Sequence, residues 1–394
     1  MKTSVIGLIA AVGLAACTTA AVGRAADTPK ERTQKIVDAV IDPLMRKDGI
    51  HGMAVGIVEG GKRYVFDYGV ASAETGRPVD DRTLFELGSI SKTLTATLVS
   101  YANTNGYLSL SDPASRYLPV LNGTPFGAVE LVDLGTHTPG GVPLQVPDSI
   151  KSDDDLNAYL KAWRPAYAAG TYRTYSNLGI GLLGAIAAKS MNDDFISSMQ
   201  QRLFPALGMA STYIDVPAAR EPDYAQGYTK RDTPIRLGRG MLWAQAYGVK
   251  TTAGDMLRFI EANMNVAKLD DKWQRAVTQT HTGYYRVGSM TQDLIWEQYA
   301  YPVALDALLQ GNSAAVILNP TPVSRIVPPQ APSQDVWIDK TGSTNGFGAY
   351  VAFVPERQTG IVLLANKNFP IDERVRAAYR ILSAIASSPI SSPR

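Results

Sequence analysis

Near the start of the chain, apolar residues recur at helical spacing: Ile36, Val37, Val40, Ile41, Leu44 and Met45. That period predicts an amphipathic helix from Pro29 to Arg46, with Thr28 as its cap and Pro29 in its first turn. Pro43 lacks the N–H that an interior turn uses, so it is expected to kink or end the helix. The period then changes. Met53 to Val58 and Arg63 to Val70 read as two strands around Glu59-Gly60-Gly61-Lys62, a hairpin. A second strand pair, Phe347 to Val354 and Ile361 to Ala365, lies near the other end. After it, Asp372 is expected to cap a helix with Val375, Tyr379, Leu382 and Ile385 on one face. Between about Ser89 and Ile260 the pattern is mostly helical and punctuated by Gly and Pro. Strand pairs at both ends and helices between them predict an α+β fold, a sheet-and-helix layer with a mostly helical insertion.

Composition narrows the function. The chain has 394 residues, 45% hydrophobic and 19% charged, with a net charge of +2. No Lys/Arg run interleaves with aromatics, which argues against nucleic acid as a partner and against electrostatic membrane binding. One cysteine and three histidines (His51, His137, His281) stand at no metal-ligand spacing, so no metal and no cofactor is expected. Residues 1–26 read as a targeting segment: Lys2 gives a positive start, and Val5 to Ala16 is an apolar run too short to span a membrane. Cleavage near Ala25 or Ala26 would release a soluble protein starting close to Asp27, whereas Leu14-Ala15-Ala16-Cys17 looks like a bacterial lipobox with Cys17 lipidated. Both endings imply export to the periplasm. The catalytic domain is expected over residues 27–388, with a frayed tail at 389–394.

Three short motifs carry candidate chemistry. Ser89-Ile90-Ser91-Lys92 opens a helix-like stretch, so Lys92 falls one turn from Ser89 on the same face. An amine there can activate a serine hydroxyl, which is a weak nucleophile unaided. By itself the pair also reads as a capping serine with a solvated lysine. Tyr175-Ser176-Asn177 supplies a phenol that nearby positive charges would push toward phenolate; alone, it also reads as a core tyrosine with a satisfied hydroxyl. Lys340-Thr341-Gly342 runs straight into Ser343-Thr344-Asn345-Gly346-Phe347-Gly348, and Gly342 would let a substrate backbone approach closely. The motifs stand in that order, 86 and then 165 residues apart.

Together they resemble the penicillin-recognising serine enzymes, which carry S-x-x-K and K-T-G. The middle Y-S-N resembles the class C (cephalosporinase) β-lactamases, as do four flanking segments: Phe85-Glu86-Leu87-Gly88, Gly140 to Gln145, Ala246 to Lys250 and Leu364 to Pro370. The resemblance spans roughly residues 30 to 388. It implies an antiparallel sheet flanked by helices, a helical subdomain, an active site between them, and a monomer acting on a small β-lactam. By position it implies Ser89 as nucleophile, Tyr175 as general base, and Lys92 and Lys340 as its flanking charges. The N–H groups of Ser89 and Ser343 would form the oxyanion hole, and Thr341 would bind the substrate carboxylate. Gln145 and Asn177 would hold the side-chain amide, while Tyr247 would wall the side-chain pocket or simply pack there. Asn368 and Arg374 would lie near the carboxylate end, Arg374 reading equally as a solvated helix residue.

Three positions depart from the family pattern: His137 where tyrosine is common, Ile371 in place of a polar residue, and Asp293-Leu294-Ile295-Trp296-Glu297 for a glycine-rich G-L-G-W-E. They bear on substrate preference. The same motifs leave open a D-alanyl-D-alanine peptidase, D-aminopeptidase or esterase, and a penicillin sensor that stays acylated.

Overall fold

A computed structural model describes residues 27–387 and Ser4. Apart from Ser4, the expected targeting segment, including Cys17, lies outside the described residues, as do residues 388–394. The first helix, α1 (Pro29–Asp48), is capped by Thr28, whose hydroxyl accepts the Glu31 N–H at 3.2 Å. Pro43 does not end it: the helix continues to Asp48 and stops at Gly49, at φ 61°. Pro43 is on the exposed side, so the carbonyl it leaves unpaired, that of exposed Ala39, can be hydrated. Buried Val37, Ile41 and Leu44 meanwhile hold the other side down.

Strands β1 (Gly52–Glu59) and β2 (Lys62–Gly69) form the expected hairpin. Its turn, Gly60 and Gly61 at φ 55° and 76°, needs two left-handed residues in succession. Helices α2 (Ser91–Thr104), α3 (Asn177–Ser190), α4 (Trp243–Tyr247) and α5 (Ala253–Asn263) build the helical part. Seven strands follow: β3 (Gly283–Val287), β4 (Met290–Gln292), β5 (Glu297–Ala300), β6 (Ser324–Gln330), β7 (Val336–Ser343), β8 (Gly348–Val354) and β9 (Thr359–Ala365). Helix α6 (Ile371–Ser387) ends the described chain. It begins one residue before the expected cap, so Asp372 lies inside its first turn.

The nine strands form one antiparallel sheet, ordered β6-β3-β4-β5-β7-β8-β9-β1-β2, and the class is the α+β expected. On one face α1 and α6 bury Val37, Ile41, Val375 and Ile381 against Val55, Ile57, Ile361 and Leu363. On the other, Leu94, Leu183, Leu257 and Ile260 of the helical part pack near Val58, Val351, Val362 and Leu364. Successive residues of β9 thus enter different cores, which is why the strand reads as an unbroken apolar run. Strands β3 to β6 were not visible in the pattern. They are short or edge-lying, and buried polar residues such as Gln292 and Glu297 break the alternation that would mark them.

Candidate active site

The start of α2 and the end of β7 touch because two glycines let them. Gly88, at φ 53°, opens the 3₁₀ turn Gly88–Ile90 that carries Ser89 into α2. A side-chain carbon on Gly88 would lie 2.5 Å from the Ser343 nitrogen, and one on Gly342 would lie 2.0 Å from the Leu87 carbonyl oxygen. Neither position tolerates a larger residue without moving the backbone. Ser89 is half-buried at this contact, with Lys92 fully buried beneath it. The Lys92 ammonium donates to Ser89 Oγ at 2.9 Å and to the Ala246 carbonyl at 2.8 Å.

Tyr175 completes the cluster. Lys92 Nζ and Lys340 Nζ each lie 5.2 Å from its ring centroid, and the Arg173 guanidinium lies 5.3 Å away. Its buried hydroxyl closes no well-formed hydrogen bond with the described residues. Burial pushes the phenol up, but Lys340 and Lys92, with the Ser89 hydroxyl, outweigh it and hold the phenol below its ordinary value. The two lysines diverge. Burial draws the Lys92 ammonium below the usual lysine range, and Lys340 adds to the shift. Lys340 is buried as deeply, yet the Glu297 carboxylate 3.4 Å away and Tyr175 raise it above that range.

Around this centre the other expected residues fall as follows. Asn177 Nδ2 donates to Gln145 Oε1 at 2.8 Å, so the two amides are neighbours, while the Asn177 oxygen is buried without a partner among the described residues. Tyr247 ends α4, half-buried and close to the Gly240 backbone. Thr341 and Gly342 are buried in β7, and Ser343 is half-buried at its end. Arg374 is the exception. It is fully buried, so it is not a solvated helix residue. Its guanidinium donates to the Gly342 carbonyl at 2.7 Å, to Ser343 Oγ at 2.9 Å, to Asn368 Oδ1 at 2.7 Å and to the Phe369 carbonyl. Burial without a carboxylate partner pulls it down to about 9. Arg374 therefore ties the end of β7 to the Asn368 loop from behind.

The sequence pattern did not mark Arg173, and it showed Glu297 only as the end of a segment that departs from the family. Arg173 donates to Glu297 Oε1 at 2.9 Å and to Gln292 Oε1 at 2.7 Å, and both ions are almost fully buried. The available signal was its place two residues before Tyr175 in extended chain, which sends both side chains the same way. Ile295 sits at φ 73°, a left-handed conformation costly for a β-branched residue and one that explains the usual glycine there. Among the described residues no cluster of His, Cys, Asp or Glu is placed to hold a metal ion, and no helix is long and apolar enough to cross a membrane. A cavity of about 530 Å³ opens among Tyr64, Tyr301, Trp337 and Tyr379, but no residue of the cluster lines it. The chemistry is at the α2–β7 contact.

Known proteins share the sequence pattern and the fold of this chain. The sequence model of the Beta-lactamase family matches residues 37–386. The chain belongs to the beta-lactamase family. It is 48% identical over 352 residues to a beta-lactamase of Pseudomonas fluorescens, covering 89% of this chain and 98% of that one. Its fold superposes on a D-alanine carboxypeptidase, AmpC, of Burkholderia cenocepacia with a TM-score of 0.87 and 58% identity, covering 90% of this chain and 99% of that one. It also superposes on a class C beta-lactamase in complex with cefoxitin, with a TM-score of 0.89 and 50% identity, covering 91% and 100%. The α+β fold is thus the one this family shares.

Proposed function

We propose that the protein is a class C serine β-lactamase that opens the β-lactam amide, with cephalosporins as preferred substrates, through an acyl-enzyme on Ser89. One observation carries the reading: Lys92 Nζ lies 2.9 Å from Ser89 Oγ, and Tyr175 is held between Lys92 and Lys340. Ser89 Oγ attacks the carbonyl carbon while its proton passes to the Tyr175–Lys92 pair, both of whose members are shifted toward proton acceptance at neutral pH. The amide C–N bond then breaks, and the proton passes to the departing nitrogen. Water attacks the ester, gives a proton to the same pair, and Ser89 regains its hydrogen as the opened acid leaves.

The N–H groups of Ser89 and Ser343 stabilise the oxyanion, each contributing about 3 kcal/mol. Lys340, Thr341 and Asn368 face the substrate carboxylate, Gln145 and Asn177 its side-chain amide, and Tyr247 the side-chain pocket. Arg374 acts through the backbone it holds.

The test follows a chromogenic cephalosporin over many turnovers, with intact mass recorded at early times. Sustained hydrolysis that vanishes in Ser89→Ala is expected, and retained hydrolysis would sink the assignment. The 58% identity to a D-alanine carboxypeptidase favours one second reading, release of terminal D-alanine from a D-alanyl-D-alanine peptide. A wild type that liberates D-alanine but leaves the cephalosporin intact would establish that reading instead. We further propose that residues 27–388 form one catalytic domain, exported to the periplasm on the strength of the leader's charge and apolar run, and monomeric on the strength of the family resemblance. Cell fractionation and the mass of the purified protein in solution check both points.

A further inference from the structure

His137 replaces a tyrosine common in the family, and the structure gives it three contacts with one short segment. Its carbonyl accepts the Thr174 N–H at 2.7 Å. Its Nδ1 faces the Ser176 N–H at 3.2 Å. Its ring lies 4.4 Å, centroid to centroid, from the ring of Tyr175 between them. Residues 174, 175 and 176 are thus held at a backbone N–H, a ring face and a second backbone N–H by a single residue. We propose that His137 is a positioning residue for Tyr175, clamping residues 174–176 so that the phenol stays between Lys92 and Lys340. The proposal rests on the reading of Tyr175 as part of the proton-accepting pair.

The chemistry requires a neutral ring. Only an unprotonated Nδ1 accepts a hydrogen bond, so the ring proton sits on Nε2, which is buried and has no partner among the described residues. The surroundings keep it so: His137 is fully buried, and burial together with Arg173, Lys92 and Lys340 holds the imidazole well below its ordinary value. The backbone is committed too. His137 is at φ 64°, where a side chain is accepted most readily if it is Asn, Asp or His. A phenylalanine here could still meet the Tyr175 ring, but it offers no acceptor to Ser176. Ser176 matters beyond its own amide, because its hydroxyl caps α3 by accepting the Gly179 N–H at 3.0 Å. Loosening it frees the residue after Tyr175 and the helix start together.

The experiment compares wild type, His137→Phe and His137→Asn on a chromogenic cephalosporin, with active sites counted by the acylation burst. His137→Phe removes the Nδ1 acceptor and is expected to lower kcat on the order of tenfold or more, since small misplacements of reacting groups are costly. The acid limb of its kcat/KM profile should also move by about half a unit, because Tyr175 leaves its place between Lys92 and Lys340. His137→Asn suits the backbone and restores an acceptor, so it should recover most of the rate and the limb. If His137→Phe does not fold, the tautomer measurement below decides. A Phe variant with the wild-type kcat and limb would overturn the clamp. So would a loss of rate that His137→Asn does not repair. A separate readout needs no turnover: ¹⁵N shifts of His137 should report the neutral Nε2–H tautomer, and a charged ring or the Nδ1–H tautomer would overturn the proposal. A wild type that hydrolyses no β-lactam would instead fail the functional reading and leave the tautomer measurement standing.

Discussion

The two walls of the cleft each contribute one buried lysine, and the two are tuned in opposite directions. On the α2 wall Lys92 donates only to a hydroxyl and a carbonyl, and Tyr175 offsets only part of the cost of burying its charge, so it is held below the usual lysine range. On the β7 wall Lys340 meets Glu297, which keeps it an ammonium. Residue type and burial are the same; the carboxylate decides. The division suits a site where one lysine must accept a proton and the other must hold a charge. Lys340 and Arg173 share the Glu297 carboxylate, and the positive charge of Lys340 and Lys92 beside the phenol favours an anion on Tyr175.

The sharpest way to break this contrast is Lys92→Arg. A guanidinium stays charged at any working pH, so the α2 wall would come to resemble the β7 wall. Turnover of a chromogenic cephalosporin should fall by roughly 10²- to 10⁴-fold, the usual worth of general base catalysis, and Tyr175→Phe should match it. Near-normal turnover in either variant would assign the whole base role to the other residue. Glu297→Gln attacks the opposite wall. It leaves Lys340 and Arg173 without an anion, and breaking such a buried pair costs about 3–5 kcal/mol. A lower thermal midpoint is expected, together with a smaller fall in turnover than for Lys92→Arg. Unchanged stability would mean that the Arg173–Glu297–Lys340 group contributes no net stabilisation.

The smallest effect is a control far from the contrast. His281 is buried against Trp296 and Phe353 with Nε2 2.9 Å from Asn263 Oδ1, and burial lowers it to about 3. In the unfolded chain a histidine takes up its proton near pH 6.5. As pH falls from about 6.5 toward 3, the unfolded state therefore binds a proton that the folded state refuses, and stability drops. The thermal midpoint should decline across that window, and His281→Gln should flatten part of the decline. An unchanged slope in the variant would place the acid sensitivity in other groups, His137 first among them.

Much of the site was legible because its parts are local. Ser89 and Lys92 are one helical turn apart, and Lys340, Thr341, Gly342 and Ser343 are consecutive, so a short motif states their geometry almost directly. The hairpins and the terminal helices were legible for a related reason: each buries a face whose period shows in the sequence. The expected stop at Pro43 was misjudged because the cost of an unpaired carbonyl depends on whether that carbonyl faces water, which no local pattern records. Arg374 was misjudged likewise. Its partners, Gly342 and Ser343, lie about thirty residues away in sequence but across a single hydrogen bond in the fold.

The sequence by itself determined the family and the one-turn spacing of Ser89 and Lys92; Gly342, expected to admit a substrate backbone, instead makes room for the Leu87 carbonyl. Only the tertiary structure decided the charges. Glu297 sits 43 residues before Lys340 and 124 after Arg173, and folding brings the three within hydrogen-bonding range. Burial and Coulomb attraction are set by distance in space. Which lysine holds its proton more tightly is therefore a property of the folded site.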